Sequence, residues 1–280
     1  MSHSVSTWVD KLVGGRSPSP ALGRVVAVLR ADPELAAFAT TAQLAAVAQV
    51  NIGTVTRAAQ FLGFSGWPDL VLDYRGRYLA TLTADRILSG STSGVKGLAS
   101  IMEDVRALES LGSTLDDTVI EAGAELIGGA RRGVVLATGI FAGVAAQLAH
   151  GAQLLGCDLS LQTGAVSAQM TAVRQLGPAD LVITFNIWKT TEAVNQLALL
   201  AAERGVPLLA IVDRSTPVAQ RADLAITVPS DSSRYLPSSV PATSVIQALL
   251  MGVAERDRAR AEASLREADE MWSRVGVVVD

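Results

Sequence analysis

From Gly129 onward the chain repeats one pattern that few folds satisfy. Short β-branched and aliphatic runs at 134–136, 158–161, 181–185, 207–212 and 224–228 alternate with segments long enough for helices. Strands that recur only after an intervening helix must pair in parallel, and a parallel sheet needs helices on both faces. The expected fold class is therefore α/β, with a five-stranded parallel sheet in a three-layer α/β/α domain. The apolar segment 240–252 supplies a further helix against that sheet. Residues 1–82 carry no strand signal and read as all-helical.

A chain of 280 residues with 49% hydrophobic composition can bury a sizeable core in one or two domains. Only 4% is aromatic, so alanine, glycine and small aliphatics must do most of the packing, which favours closely approached helices. The net charge of −4 does not suggest a general nucleic-acid binder. Its distribution is uneven. Residues 1–80 hold seven Lys or Arg against five acids, a balance of +2, which leaves −6 for the remainder. Cys157 is the only cysteine, and His3 and His150 are far apart, so neither a disulfide framework nor a local metal motif is expected. No signal peptide is apparent, and apolar stretches are broken before membrane-spanning length, so a soluble cytoplasmic protein without membrane contact is expected.

Within the helical part, residues 41–67 read as two short helices joined by a turn near Gln49 and Val50. Ala42, Leu44, Ala45 and Val47 form the apolar side of the first. Asn51 is placed to cap the second, accepting a backbone N–H near Thr54. Ile52, Val55, Ala59 and Leu62 then recur at helical spacing as the inward set. Gly53, Thr54, Arg57 and Gln60 are left outward. Such a unit is either a DNA-reading helix-turn-helix or an ordinary α-hairpin. The modest basic excess makes a DNA reading depend on two copies. Phe64 and Trp67 plug the base of the small core. Gly14, Gly15, Pro18 and Pro20 punctuate residues 1–20, where partial disorder is expected, with Trp8 and Leu12 along one side of a short helix.

In the α/β part, the loops after strands carry the candidate chemistry, because crevices lie beyond the carboxyl ends of parallel strands. The first is 138–143, where Gly139 allows a tight turn into a helix beginning near Phe141 and the helix start offers N–H groups to an anion. An ordinary strand-to-helix turn is the competing reading. The second is 184–192, with Thr184, Asn186, Trp188, Lys189, Thr190 and Thr191 as hydrogen-bonding, stacking or anion-offsetting groups. The third is 231–235, where Ser232, Ser233 and Arg234 suit phosphate or carboxylate, or simply cap the next helix. The loop from Asp213 to Thr216 reads as a turn. No catalytic constellation, metal-ligand set or cofactor motif stands out. Glu255 to Arg274 reads as a charged helix, either solvated or carrying a sparse seam of Leu265, Ala268 and Trp272.

The turn unit resembles that of RpiR-type bacterial transcriptional regulators. The family pattern L-A-x-x-x-x-V-S-x-x-T-V-x-R-x-x-x-x-L-G-F-x-G is met here by Leu44, Ala45, Val50, Asn51, Thr54, Val55, Arg57, Leu62, Gly63, Phe64 and Gly66, with Asn51 in place of serine. The likeness covers roughly residues 22–250. It implies a helix-turn-helix followed by a sugar isomerase (SIS) domain that binds a phosphorylated sugar in its strand-end loops. Those loops usually read G-x-G-x-S and S-x-S-G-x-T-x-E. Here the first keeps Gly139, Phe141 and Gly143, and the second becomes Phe185, Ile187, Trp188, Thr190 and Glu192. The missing serines point to a less polar or aromatic effector, or to a domain kept for dimerisation.

The expected organisation is a DNA-binding domain at 1–82, a linker and connecting helix at 83–112, an effector-binding and dimerisation domain at 113–252, and a charged tail at 253–280. The expected function is a sequence-specific, non-enzymatic transcriptional regulator, a dimer or tetramer. It contacts a double-stranded operator through Asn51, Gly53, Thr54, Arg57 and Gln60. The effector set is Gly139, Phe141, Thr184, Asn186, Trp188, Lys189, Thr190, Thr191, Ser232 and Ser233. A sugar-phosphate isomerase with an accessory helical domain is the alternative.

Overall fold

The computed structural model describes residues 5–81, 97–230 and 236–276. They form two compact units, the first built on residues 5–81 and the second on 97–230 and 237–276. The sequence-based linker at 87–97 lies almost wholly outside the described residues, as do Ser232, Ser233, Arg234 and the last four residues.

Among the described residues, the first unit holds six helices: α1 Val5–Val13, α2 Pro20–Ala31, α3 Pro33–Phe38, α4 Thr41–Val47, α5 Ile52–Phe61 and α6 Trp67–Thr81. Local chemistry starts them. Pro20 and Pro33 occupy first turns behind Ser19 and Asp32, whose side chains accept from Leu22 and Leu35 N–H groups. Thr40 and Gln43 make a reciprocal capping box on α4. The partial disorder expected of residues 1–20 is not what the structure has over 5–13. Val5, Val9 and Val13 are buried in the unit's core, and that packing outweighs the Gly and Pro punctuation that follows. Trp8 meets Phe64 and Tyr74 edge-on at centroid distances of 6.1 and 5.9 Å. Tyr74 donates its hydroxyl to the Leu29 carbonyl, and burial pushes its pKa above the ordinary phenol range.

The second unit begins with α7 Gly97–Thr114 and α8 Asp117–Gly129. It alternates through β1 Gly133–Leu136, α9 Phe141–Leu154, β2 Leu159–Gln162, α10 Val166–Arg174, β3 Leu181–Asn186, α11 Glu192–Glu203, β4 Leu208–Val212, α12 Pro217–Arg221 and β5 Leu224–Thr227. Helices α13 Val240–Arg256 and α14 Arg258–Val275 follow. The five strands run in the order β2-β1-β3-β4-β5, all parallel, as the alternation requires. Alternate residues of the central strands face opposite layers. Leu181, Ile183 and Phe185 join Leu209 and Ile211 under α8, α9 and α13, while Val182, Leu208, Ala210 and Val212 pack under α10, α11 and α12. Small residues let α8 and α13 approach closely. A Cβ on Gly123 would meet Leu249 at 2.4 Å, and one on Gly252 would meet the Ala124 Cβ at 2.9 Å.

Helix α7, assigned mostly to the connector from sequence, buries Leu111 in the core of this second unit. The charged helix α14 buries only Ala261. Its ion pairs run from Glu262 to Arg258 and Arg266.

Asp180, at the foot of β3, has a fully buried side chain that accepts two 2.9 Å bonds from Arg131 and one from the Gly177 N–H. The Arg131 hydrogen bonds, with help from Gly177 and against the cost of burial, hold its carboxyl below the usual carboxylate range. A folded-state value below the unfolded one adds stability that is complete above about pH 4 and disappears as pH falls through the lowered value. Thermal melts between neutral and acid pH should therefore show Asp180→Asn less stable at neutral pH, with the gap to wild type closing in acid. A gap independent of pH would contradict this.

Candidate nucleic-acid interface and ligand crevice

Helices α4 and α5 are joined by the turn 48–51. Gln49 takes a left-handed φ of 52°, and Arg24 of α2 donates to the Ala48 and Gln49 carbonyls at 3.2 and 3.3 Å. Those carbonyls end α4 and lack helical partners, so the guanidinium both caps α4 and fixes the turn to α2. Asn51 caps α5 as expected, its Oδ1 accepting the Thr54 N–H at 2.8 Å.

The inward and outward faces of α5 differ from the sequence reading at two positions. Thr54, expected outward, is only 3% exposed. Its hydroxyl donates to Asn51 Oδ1 at 2.8 Å and accepts from Arg57 Nη2 at 3.0 Å. Thr54 therefore cannot present its hydroxyl to a groove; it orients Arg57. Ile52, expected inward, is 55% exposed, and Val47 of α4 is likewise exposed. The true inward set of α5 is Thr54, Val55, Ala58 and Ala59, with Leu62 beyond. Asn51, Gly53, Arg57 and Gln60 are exposed as expected. Ile52 and Gly53 at the start of the short helix, and Arg57 at its middle, are thus exposed, on a helix of a size the major groove admits.

In the second unit, β1 lies between β2 and β3. The chain leaves β1 toward β2 but leaves β3 toward β4, so the order reverses between β1 and β3, the switch point beyond which parallel α/β sheets commonly bind ligands. Gly139, with φ of 61°, turns the chain from β1 toward α9. The helix begins at Ile140 without a side-chain cap.

The β3 loop is built differently from its expected role. Phe141, Thr184 and Asn186 are all buried. Phe141 belongs to the core. The Thr184 hydroxyl donates to Asn186 Oδ1, and Asn186 Nδ2 donates to Asn195 Oδ1 of α11, so these polar groups are satisfied inside the fold. Gly139, Lys189 and Thr191 are exposed, Thr190 is half-buried, and Trp188 is half-buried with its side chain packed against the core. Thr191 occupies the cap position of α11 but makes no side-chain cap bond.

Trp188 has a left-handed φ of 58° at the place where the resemblance puts glycine. Its backbone is gripped on both sides. Its N–H donates to Asp213 Oδ2 at 2.7 Å, and its carbonyl accepts from Arg214 at 2.8 Å. Asp213, 1% exposed, also accepts from Arg214 at 2.8 Å and from the Ser230 hydroxyl at 3.1 Å. This bracket ties the ends of β3, β4 and β5 together. The turn expected at 213–216 does lead into α12, capped by Thr216, but sequence spacing gave no sign of the bracket. The Lys189 ammonium lies 5.0 Å from the centre of the Trp188 ring.

Residues 126–253 match the SIS domain family model. A stretch covering 62% of the chain matches 98% of the sugar isomerase domain of the RpiR transcription factor from Sphaerobacter thermophilus, with 31% identity and a TM-score of 0.60. The chain belongs to the RpiR family. Two curated relatives extend the likeness over both units of this RpiR-family chain. The HTH-type transcriptional regulator HexR of Pseudomonas aeruginosa is 26% identical over 263 residues, covering 88% of each chain. HexR of Escherichia coli is 26% identical over 254 residues, covering 88% of this chain and 87% of its own. The Vibrio vulnificus NanR protein, solved with ManNAc-6P, shares the fold across 99% of this chain at 16% identity and a TM-score of 0.63. Among the described residues, no helix is long and apolar enough to cross a membrane, and no group of three or more His, Cys, Asp or Glu is arranged to hold a metal ion.

Proposed function

We propose that the protein is a DNA-binding transcriptional regulator in which α5 enters the operator major groove and the SIS unit senses a small metabolite. The observation that carries this reading is the capped α5, with Gly53, Arg57 and Gln60 exposed and Arg57 held by Thr54. The regulator names of relatives spanning both units support it and favour a non-enzymatic role. The reader is residues 1–82, and the sensor follows the connecting segment. The effector enters the crevice between Gly139 and the loop from Trp188 to Thr191. It is a sugar phosphate or a less polar relative of one, because Trp188 and Lys189 offer a ring face and a cation where polar hydroxyls are missing.

Two copies are needed to engage two half-sites. Exposed Leu98, Ile101, Met102 and Val105 recur at i, i+3, i+4 and i+7 along α7, and this stripe is the surface on which a second copy packs. The double change Ile101→Asp, Met102→Asp is expected to halve the mass seen by sedimentation while sparing the fold. An unchanged mass would remove α7 from the contact.

The function itself is tested by selecting bound duplexes from a randomised pool, then repeating the selection with candidate metabolites present. Enrichment of paired half-sites whose recovery changes with one metabolite is the expected result. Failure to enrich any sequence would overturn the regulator reading.

A further inference from the structure

We propose that Ile52 is a sequence-determining residue that packs against the C5-methyl group of thymine. The inference rests on the reading of α5 as the helix that enters the groove. Ile52 is the first residue of α5 and is more than half exposed. It belongs to no part of the first unit's buried core, which takes Val55, Ala58, Ala59 and Leu62 from this helix region.

The side-chain oxygens beside Ile52 are already committed. Asn51 Oδ1 accepts both the Thr54 N–H and the Thr54 hydroxyl, and Thr54 itself is buried. Gly53 follows with no side chain, and a Cβ there would touch only Asn51 Oδ1, at 3.6 Å. The tip of the helix therefore offers hydrocarbon at Ile52, bare backbone at Gly53 and, one and a half turns on, the Arg57 guanidinium. In the major groove the one hydrocarbon target on a base edge is the thymine methyl, while a guanidinium suits guanine or phosphate. The tip of a helix entering the groove lies deepest, so an exposed branched aliphatic there meets base edges rather than the phosphate backbone.

The test compares one duplex, selected by the wild-type protein from a randomised pool, with the same duplex in which uracil replaces thymine at each half-site position in turn. The exchange deletes only the methyl. Wild-type affinity should fall about fourfold at the thymine that Ile52 reaches, the size expected for one buried methyl. Ile52→Ala should bind the thymine duplex about fourfold more weakly and be insensitive to the same exchange. Its melting temperature should be unchanged, because the residue is exposed. The inference is overturned if uracil costs wild type nothing at every position, if the selected half-site contains no thymine, or if Ile52→Ala keeps the full methyl penalty. Failure of wild type to select any duplex would instead overturn the underlying DNA reading, and this inference with it.

Discussion

Asp213→Ala is expected to destabilise the second unit by about 3–5 kcal/mol, the usual cost of removing one partner from a buried ion pair. The carboxylate receives the Trp188 N–H, the Arg214 guanidinium and the Ser230 hydroxyl. Alanine would remove the acceptor that these three donors share in a largely buried site. It would also free Trp188, whose left-handed backbone costs about 1–3 kcal/mol and persists only because its surroundings over-determine it. Asp213→Asn keeps one oxygen acceptor and should lose distinctly less. Equilibrium urea unfolding measures both. A loss below about 1 kcal/mol for the alanine variant would show that the bracket contributes little to holding the second unit together.

The largest effect on DNA is expected at Arg57. Arg57→Ala should weaken binding to a selected duplex by about 1–3 kcal/mol with no change in melting temperature, since the residue is exposed. If its partner is guanine, preference at one base pair relaxes. If its partner is phosphate, binding weakens uniformly and the salt slope drops by about one. Thr54→Val should show a smaller loss in the same direction. It removes the hydroxyl that holds Arg57 Nη2 at 3.0 Å, and Thr54→Ser should restore it. Salt-controlled titrations in which Arg57→Ala binds like wild type would exclude it from the interface.

The features legible in the sequence were those set by local pattern. Alternating aliphatic runs gave the parallel sheet because buried strands leave few other options, and Asn51 announced its cap three residues ahead of Thr54. The face of α5 was harder. Ile52, Val55, Ala59 and Leu62 fit one helical stripe, but Thr54, Val55, Ala58 and Ala59 fit the observed one better. Threonine and alanine carry too little hydropathy to win against isoleucine in such a comparison. In the crevice, Thr184 and Asn186 looked like ligand contacts because polar residues at strand ends usually face solvent. Only tertiary structure supplied Asn195 as an internal partner. Asp213 stands 25 residues from Trp188, and a carboxylate in a turn-forming run gives no sign of what it will bind across the sheet.

The two bonds of the bracket to Trp188 use its main-chain N–H and carbonyl, so they do not depend on which side chain the position bears. Glycine, for which the left-handed basin is ordinary, would trace the same course and leave a ring-sized vacancy above the strands. If the proposed effector lies against this loop, substitutions at this single position would change the space offered to it while both bonds of the bracket remain.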